Sequence, residues 1–203
     1  MNLIELVQDH LSDQLLDNLG QQIGSDRKQT QAAATGALST IVAALSKNAA
    51  RPGGLDALVS AVDRDHDGSI LDDAMGFLTG QKQAANARMT NGSGILKHVL
   101  GKKRDNAADV IGRMSGLDKD KTAVLMAQLA PLIMGALGKA RHQQGMGVEG
   151  IGELLTSTVK SETNRRQEMS LLSQFLDKDD DGSVMDDLVN MGMKAFFRRR
   201  RRR

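Results

Sequence analysis

Residues 63–73 read DRDHDGSILDD, and residues 177–187 read DKDDDGSVMDD. Asp stands at the first, third and fifth positions of both, Gly at the sixth, Ser at the seventh and Asp at the tenth and eleventh. Agreement at so many positions marks an internal repeat. Alternate carboxylates in a tight loop supply the roughly six to eight oxygens that a hard cation such as Ca²⁺ takes. Gly68 and Gly182 stand where an EF-hand loop makes its sharp turn, and the backbone carbonyls of Ser69 and Ser183 fall at its seventh ligand position. The bidentate Glu that closes an EF-hand is missing, because its place is taken by Ala74 and Leu188. The expected ligands are therefore Asp63, Asp65, Asp67, Ser69 and Asp73, then Asp177, Asp179, Asp181, Ser183 and Asp187, with Asp72 and Asp186 in reserve. Ca²⁺ is the expected ion, and Mg²⁺ also suits an all-oxygen donor set. The plainer reading is turn and helix-cap chemistry, for which Asp, Gly and Ser are equally suited. Against it, five carboxylates within residues 63–73 repel one another unless a cation offsets them.

Around these loops the chain reads as helix. Leu3, Ile4, Val7, Leu11, Leu15, Leu16, Leu19 and Ile23 follow a helical period, with a break near Ser12–Asp13. Ser25 or Asp26 is a cap for a long helix through about Asn48, ended by Arg51-Pro52-Gly53-Gly54. Leu55, Leu58, Val59 and Val62 make a helix entering the first Asp loop, and Ile70 to Leu78 make the helix leaving it. Pro131 falls inside LMAQLAPLIMGALGK and predicts a kink or restart there.

A shift of 92 residues aligns Asp26 with Asp118, Thr30 with Thr122, Ile41 with Ile133 and Leu45 with Leu137. The expected organisation is all-α. A first half, 1–79, carries the loop 63–73, and a polar linker follows at 80–93. A second half, 94–197, carries the loop 177–187, and the tail is Arg198–Arg203. The loops lie 114 apart, so the second half holds about 22 extra residues, within 142–176. Ile70 and Val184 share the loop position through which paired EF-hand loops join, but the polar linker and the extra residues favour separate loops, each closing its own half.

Composition removes several classes. Without Cys there is no disulfide and no thiolate chemistry. Four Phe are the only aromatics, so base-stacking platforms are lacking. His10, His66, His98 and His142 have no helical His partner, which leaves zinc without support. His66 sits at a loop position that ordinarily faces solvent. Glu149 to Glu153 is Gly-rich but reads as a helix start or a turn, and no nucleophile elbow or phosphate loop occurs. Met126, Met134, Met169 and Met185 read as core filler. Net charge is +2 with six positive charges in Arg198–Arg203, so the remainder carries −4. A like-charge run is by default solvated, and weak contact with anionic lipid or nucleic acid is its second reading. The N-terminus is acidic and amphipathic, unlike a secretory signal, and no apolar run approaches a bilayer span; a cytoplasmic location is expected.

GSGILKHVLGKKRDNAADVIGRMSGLDKDKTAVLMAQLAPLIMGALGK, together with the twin DGS(I/V)xDD loops, resembles the YidB-like bacterial family known as domain of unknown function 937, over residues 3–195. The resemblance implies an all-helical bundle and no established enzymatic activity. The function expected is thus a non-enzymatic helical protein that binds Ca²⁺ through two loops and serves an unidentified protein partner. The alternatives are a self-associating scaffold without metal, a protein held to membrane or nucleic acid by its Arg tail, and an enzyme using the carboxylates as acid and base.

Overall fold

The computed structural model describes residues 2–84 and 86–165. The second Asp loop with Asp177, Asp179, Asp181, Ser183 and Asp187, the residues Met169 and Met185, and the Arg tail lie outside the described residues. Every regular element among the described residues is helical: α1 Leu3–His10, α2 Asp13–Ile23, α3 Arg27–Ala49, α4 Gly54–Asp65, α5 Ala74–Leu78, α6 Gly92–Leu100, α7 Arg104–Ser115, α8 Lys119–Gly138 and α9 Val148–Arg165.

Helix starts follow side-chain caps. Asn2, Ser12, Asp26, Asp73, Asn91 and Asp118 each accept a backbone N–H of the first turn they precede. The corner between α2 and α3 and the corner between α7 and α8 are built alike. Ser25 N donates to Gly20 O at 2.9 Å, and Leu117 N donates to Gly112 O at 2.8 Å. Thr30 Oγ1 donates to Asp26 O and Thr122 Oγ1 to Asp118 O, both at 2.8 Å. A side chain on Gly20 or Gly112 would meet those threonine hydroxyls at 2.9 Å, so each corner needs glycine for its close approach.

One continuous core joins the elements. α3 packs on α7, α8 and α9, while α1 reaches across to α8 and α9. The N-terminus is tied down where Leu3 N donates to Thr158 Oγ1 at 3.0 Å and Asn2 Nδ2 to Ser161 Oγ at 2.9 Å. α8 is apolar nearly all round because neighbours surround it, with Leu125, Met126, Leu129, Leu132, Ile133 and Leu137 all buried. It runs unbroken through Pro131, in place of the expected restart. Packing on all sides outweighs the one lost backbone donor. With the π-helical turn that follows it, Lys119–Gln143 is long and apolar enough to cross a bilayer, contrary to the expectation from sequence, yet 72% of that apolar window is buried inside the bundle.

Three further expectations are corrected. The helix leaving the Asp loop is divided into a 3-10 turn at Ser69–Leu71 and α5, with Asp73 as the cap that restarts it. The segment 80–93 is not wholly polar spacer, because Met89 is buried. The first Asp loop does not close its own half: its backbone lies against α8. The Gly-rich stretch Glu149 to Glu153 lies in the first turns of α9, as expected, and Met126 and Met134 are core.

Candidate functional site

The first Asp loop joins α4 to α5 as a helix–loop–helix. His66 leaves the helix with φ −139°, and Gly68 takes φ +93°, a left-handed turn that a side chain would strain. Asp67 Oδ1 accepts from Ser69 N at 2.9 Å and from Ser69 Oγ at 2.6 Å, which folds the loop back on itself. The loop is seated on the end of α8. A Cβ on Gly138 would overlap the His66 carbonyl oxygen, one on Gly135 would overlap Ile70 Cγ2, and one on Gly68 would lie 2.8 Å from Lys139 N. Gly68 and Gly138 thus let two stretches of backbone meet, and Gly135 makes room for the Ile70 side chain.

The carboxylates turn to different partners. Asp63 accepts from Arg141 Nε at 2.9 Å and from an Arg141 terminal nitrogen at 3.1 Å, with His142 Nε2 at 3.6 Å. Hydrogen bonds from Arg141 hold the Asp63 carboxyl below the usual range, against its desolvation. Asp65 is buried, accepting from Arg64 at 2.7 and 2.9 Å and from Asn86 Nδ2 at 2.8 Å, with Arg88 at 3.8 Å. The Arg64 hydrogen bonds lead in holding its carboxyl low. Asp67 is lowered first by the Ser69 hydroxyl and then by the Ser69 N–H. Asp73 caps α5 through Gly76 N at 2.9 Å and lies 3.8 Å from Lys82 Nζ. Asp72 is exposed beside it.

His66 departs from expectation. It is 5% exposed rather than facing solvent, its Nδ1 has no hydrogen-bond partner, and burial pulls its imidazole below the usual range against the pull of Asp65 and Asp67. The docking on α8 buries it, and nothing in the loop's own sequence signals that contact.

The expected ligands of the first loop are therefore neighbours in sequence but do not share a focus. Among the described residues, no three His, Asp or Glu side chains converge where they could hold a metal ion. As they stand the donors do not form a metal cage. What they form is a set of carboxylates held by guanidinium groups and N–H donors, and carboxylates so held can be handed to a competing cation only when those partners release them. Sequence reading missed Arg64, Asn86 and Arg141 as partners, and gave no sign of them. The small residues of GALG at 135–138 were a legible sign of close backbone approach.

A family model described as a bacterial protein of unknown function (DUF937) matches residues 5–140, which is more than half of the chain. No curated protein and no solved structure matches it.

Proposed function

The chain belongs to the DUF937 family of bacterial proteins of unknown function, and within it we propose a non-enzymatic helical module whose Asp loop takes up Ca²⁺ in exchange for its arginine partners. The observation that carries this reading is the helix–loop–helix with a left-handed Gly68 at the sixth loop position, flanked by exposed Asp63, Asp67, Asp72 and Asp73. Ca²⁺ binding would require Asp63 to leave Arg141 and Asp65 to leave Arg64 and Asn86. The ion would then supply the charge that the guanidinium groups supply now.

The test is a thermal melt of the full chain with Ca²⁺, with Mg²⁺ and with chelator. An ion that binds the folded state and not the unfolded one raises the midpoint, by an amount that grows with its concentration. A midpoint unmoved at millimolar Ca²⁺ overturns the proposal. In that case the second reading stands: a scaffold in which the loop fastens α4 to α8 with no metal role. It is favoured by the fork from Arg141 to Asp63, which already joins the loop to the turn after α8.

A further inference from the structure

We propose that the groove between α4 and α6 binds a single-chain aliphatic acid, its anionic head held by Arg88 and Arg64 and its chain laid along the two helices. Both helices pack on α3, and ties at their ends set them antiparallel. Asn86 Nδ2, in the segment leading into α6, donates to Asp65 at the end of α4 at 2.8 Å. Asn48 Nδ2, near the end of α3 and ahead of α4, donates to Val99 O near the end of α6 at 2.9 Å. Between these ties lies a cavity of about 890 Å³, within the range of about 300–1,000 Å³ for small-molecule sites. Buried Leu45 of α3 and Met134 of α8 reach its base, and half-buried Leu58, Ala61, Ile95 and Val99 line its walls. No Phe lines it among the described residues, so the apolar wall suits an aliphatic chain.

The same face is covered in the other half of the repeat. At the 92-residue offset α6 corresponds to α1, and Ile95 and Val99 correspond to Leu3 and Val7. Leu3 and Val7 are fully buried. There α9 lies against α1, fixed where Leu3 N donates to Thr158 Oγ1 at 3.0 Å. Ile95 and Val99 have no such cover and stay half-buried at the groove. The polar residues set the charge of what fills it. Arg51, Arg64 and Arg88 line the groove, and Asp65 is the one carboxylate facing them among the described residues, which leaves a surplus of positive charge. Asp65 already accepts two bonds from Arg64 and one from Asn86. Arg88, 3.8 Å from Asp65 and 68% exposed, therefore keeps most of its donors for a ligand. At the same end stands His66, buried, with an Nδ1 that lacks a partner and that a head-group oxygen could satisfy. A guanidinium fork matches the paired oxygens of a carboxylate or a phosphate.

The test is calorimetric titration of the full chain in chelator, which separates the result from any uptake of Ca²⁺. The probes are dodecanoate and dodecyl phosphate, each below the concentration at which it forms micelles. Dodecyltrimethylammonium gives the same chain with the opposite charge, and acetate gives the head alone. The expected result is one-to-one binding of at least one of the two anions, and the ratio of their affinities identifies the head as carboxylate or phosphate. The cation should bind about tenfold more weakly or less, and acetate should give no heat. Arg88→Gln should weaken the anion by about tenfold. It leaves Asp65 held by Arg64 and Asn86, so the fold is kept. Ala61→Phe fills the groove and should abolish binding. Ala57→Phe, on the exposed rim of the same wall, takes its place should that variant fail to fold. All these variants retain Arg198–Arg203, so binding through the tail would survive in them. No binding of either anion at millimolar concentration overturns the proposal. So does equal binding of the cation, or an affinity unchanged either by Arg88→Gln or by filling the groove.

Discussion

Arg141 closes a fork on Asp63 across 78 residues of sequence, donating from Nε at 2.9 Å and from a terminal nitrogen at 3.1 Å, while its other terminal nitrogen donates to Met146 O at 2.8 Å. One guanidinium thereby joins the start of the Asp loop, the end of α8 and the turn into α9. The pair is partly solvated, so screening keeps its contribution to stability small. Arg141→Gln should lower the melting midpoint by no more than about 2–4 °C. Its effect on ions is larger under the exchange proposed above. Losing the competing cation should tighten Ca²⁺ binding by roughly three- to tenfold, and Asp63→Asn should weaken it. Calorimetric titration of both variants checks the pair, and equal affinities in all three proteins would exclude exchange at this site.

The two capped corners should respond alike. Asp26 accepts from Gln29 N at 2.9 Å and Asp118 from Lys121 N at 2.8 Å. Asp26→Ala and Asp118→Ala each remove one helix cap, at a cost of about 0.5–2 kcal/mol. Denaturant unfolding should give similar losses for the two, and the loss for the double variant should depart from their sum, because Gln29 and Lys121, which donate to the two caps, also bond across to Gly116 and Gly24 of the opposite corner. A loss confined to one corner would show that the two are not energetically equivalent.

Much of this architecture was legible in the residues. Ser25 or Asp26 announced one long helix, the 92-residue offset carried that sign to Asp118, and the helical period marked α1 to α3, because caps and period are local rules. The site was legible only in part. The Gly68 turn and the Asp67–Ser69 fold-back are local and were readable. The partners of Asp63 and Asp65 were not, since Arg141 and Asn86 arrive through packing of distant segments. That α8 does not restart at Pro131 was unreadable for the same reason: a helix enclosed by α1, α3, α6 and α7 is held by contacts that its own sequence does not contain.

Acid should act on the loop in two steps. Burial lowers the proton affinity of His66, so its neutral form belongs to the fold. The unfolded chain then binds more protons there, and the stability contributed is complete above about pH 6.5 and is lost as the pH falls through that value toward the folded one. The loss runs at no more than about 1.4 kcal/mol per pH unit. Asp63, Asp65 and Asp67 are lowered by their partners. Their contribution is present above about pH 3.9 and disappears below it, as the pH falls through their folded values. Denaturant midpoints between pH 7.5 and pH 3 should show both falls. His66→Gln should remove the upper one and leave the lower. A variant that keeps the upper fall would assign it to another group.

The seat on α8 can be tested by exchanging methyl groups. A Cβ on Gly135 would overlap Ile70 Cγ2, with Leu71 Cγ next at 3.6 Å. Gly135→Ala alone gains helix propensity, worth under about 1 kcal/mol, but overpacks a filled contact at about 1–3 kcal/mol. The net effect should be destabilising. Ile70→Leu alone removes the Cγ2 branch that faces Gly135 and conserves volume, at a cost under about 1.5 kcal/mol. Combined, the added methyl enters the space that the Cγ2 branch leaves, and the double variant should be more stable than Gly135→Ala by itself. That sign is the test, because two independent substitutions would only add their losses. Gly138→Ala has no such remedy. Its Cβ meets the His66 carbonyl oxygen rather than a side chain, so only backbone movement relieves it. It should cost more than Gly135→Ala, and no substitution of the His66 side chain should restore it. Urea unfolding of the four proteins, with His66→Ala added to Gly138→Ala, decides the matter: a restored midpoint in that last variant would show that the side chain, not the backbone, fixes the loop to α8.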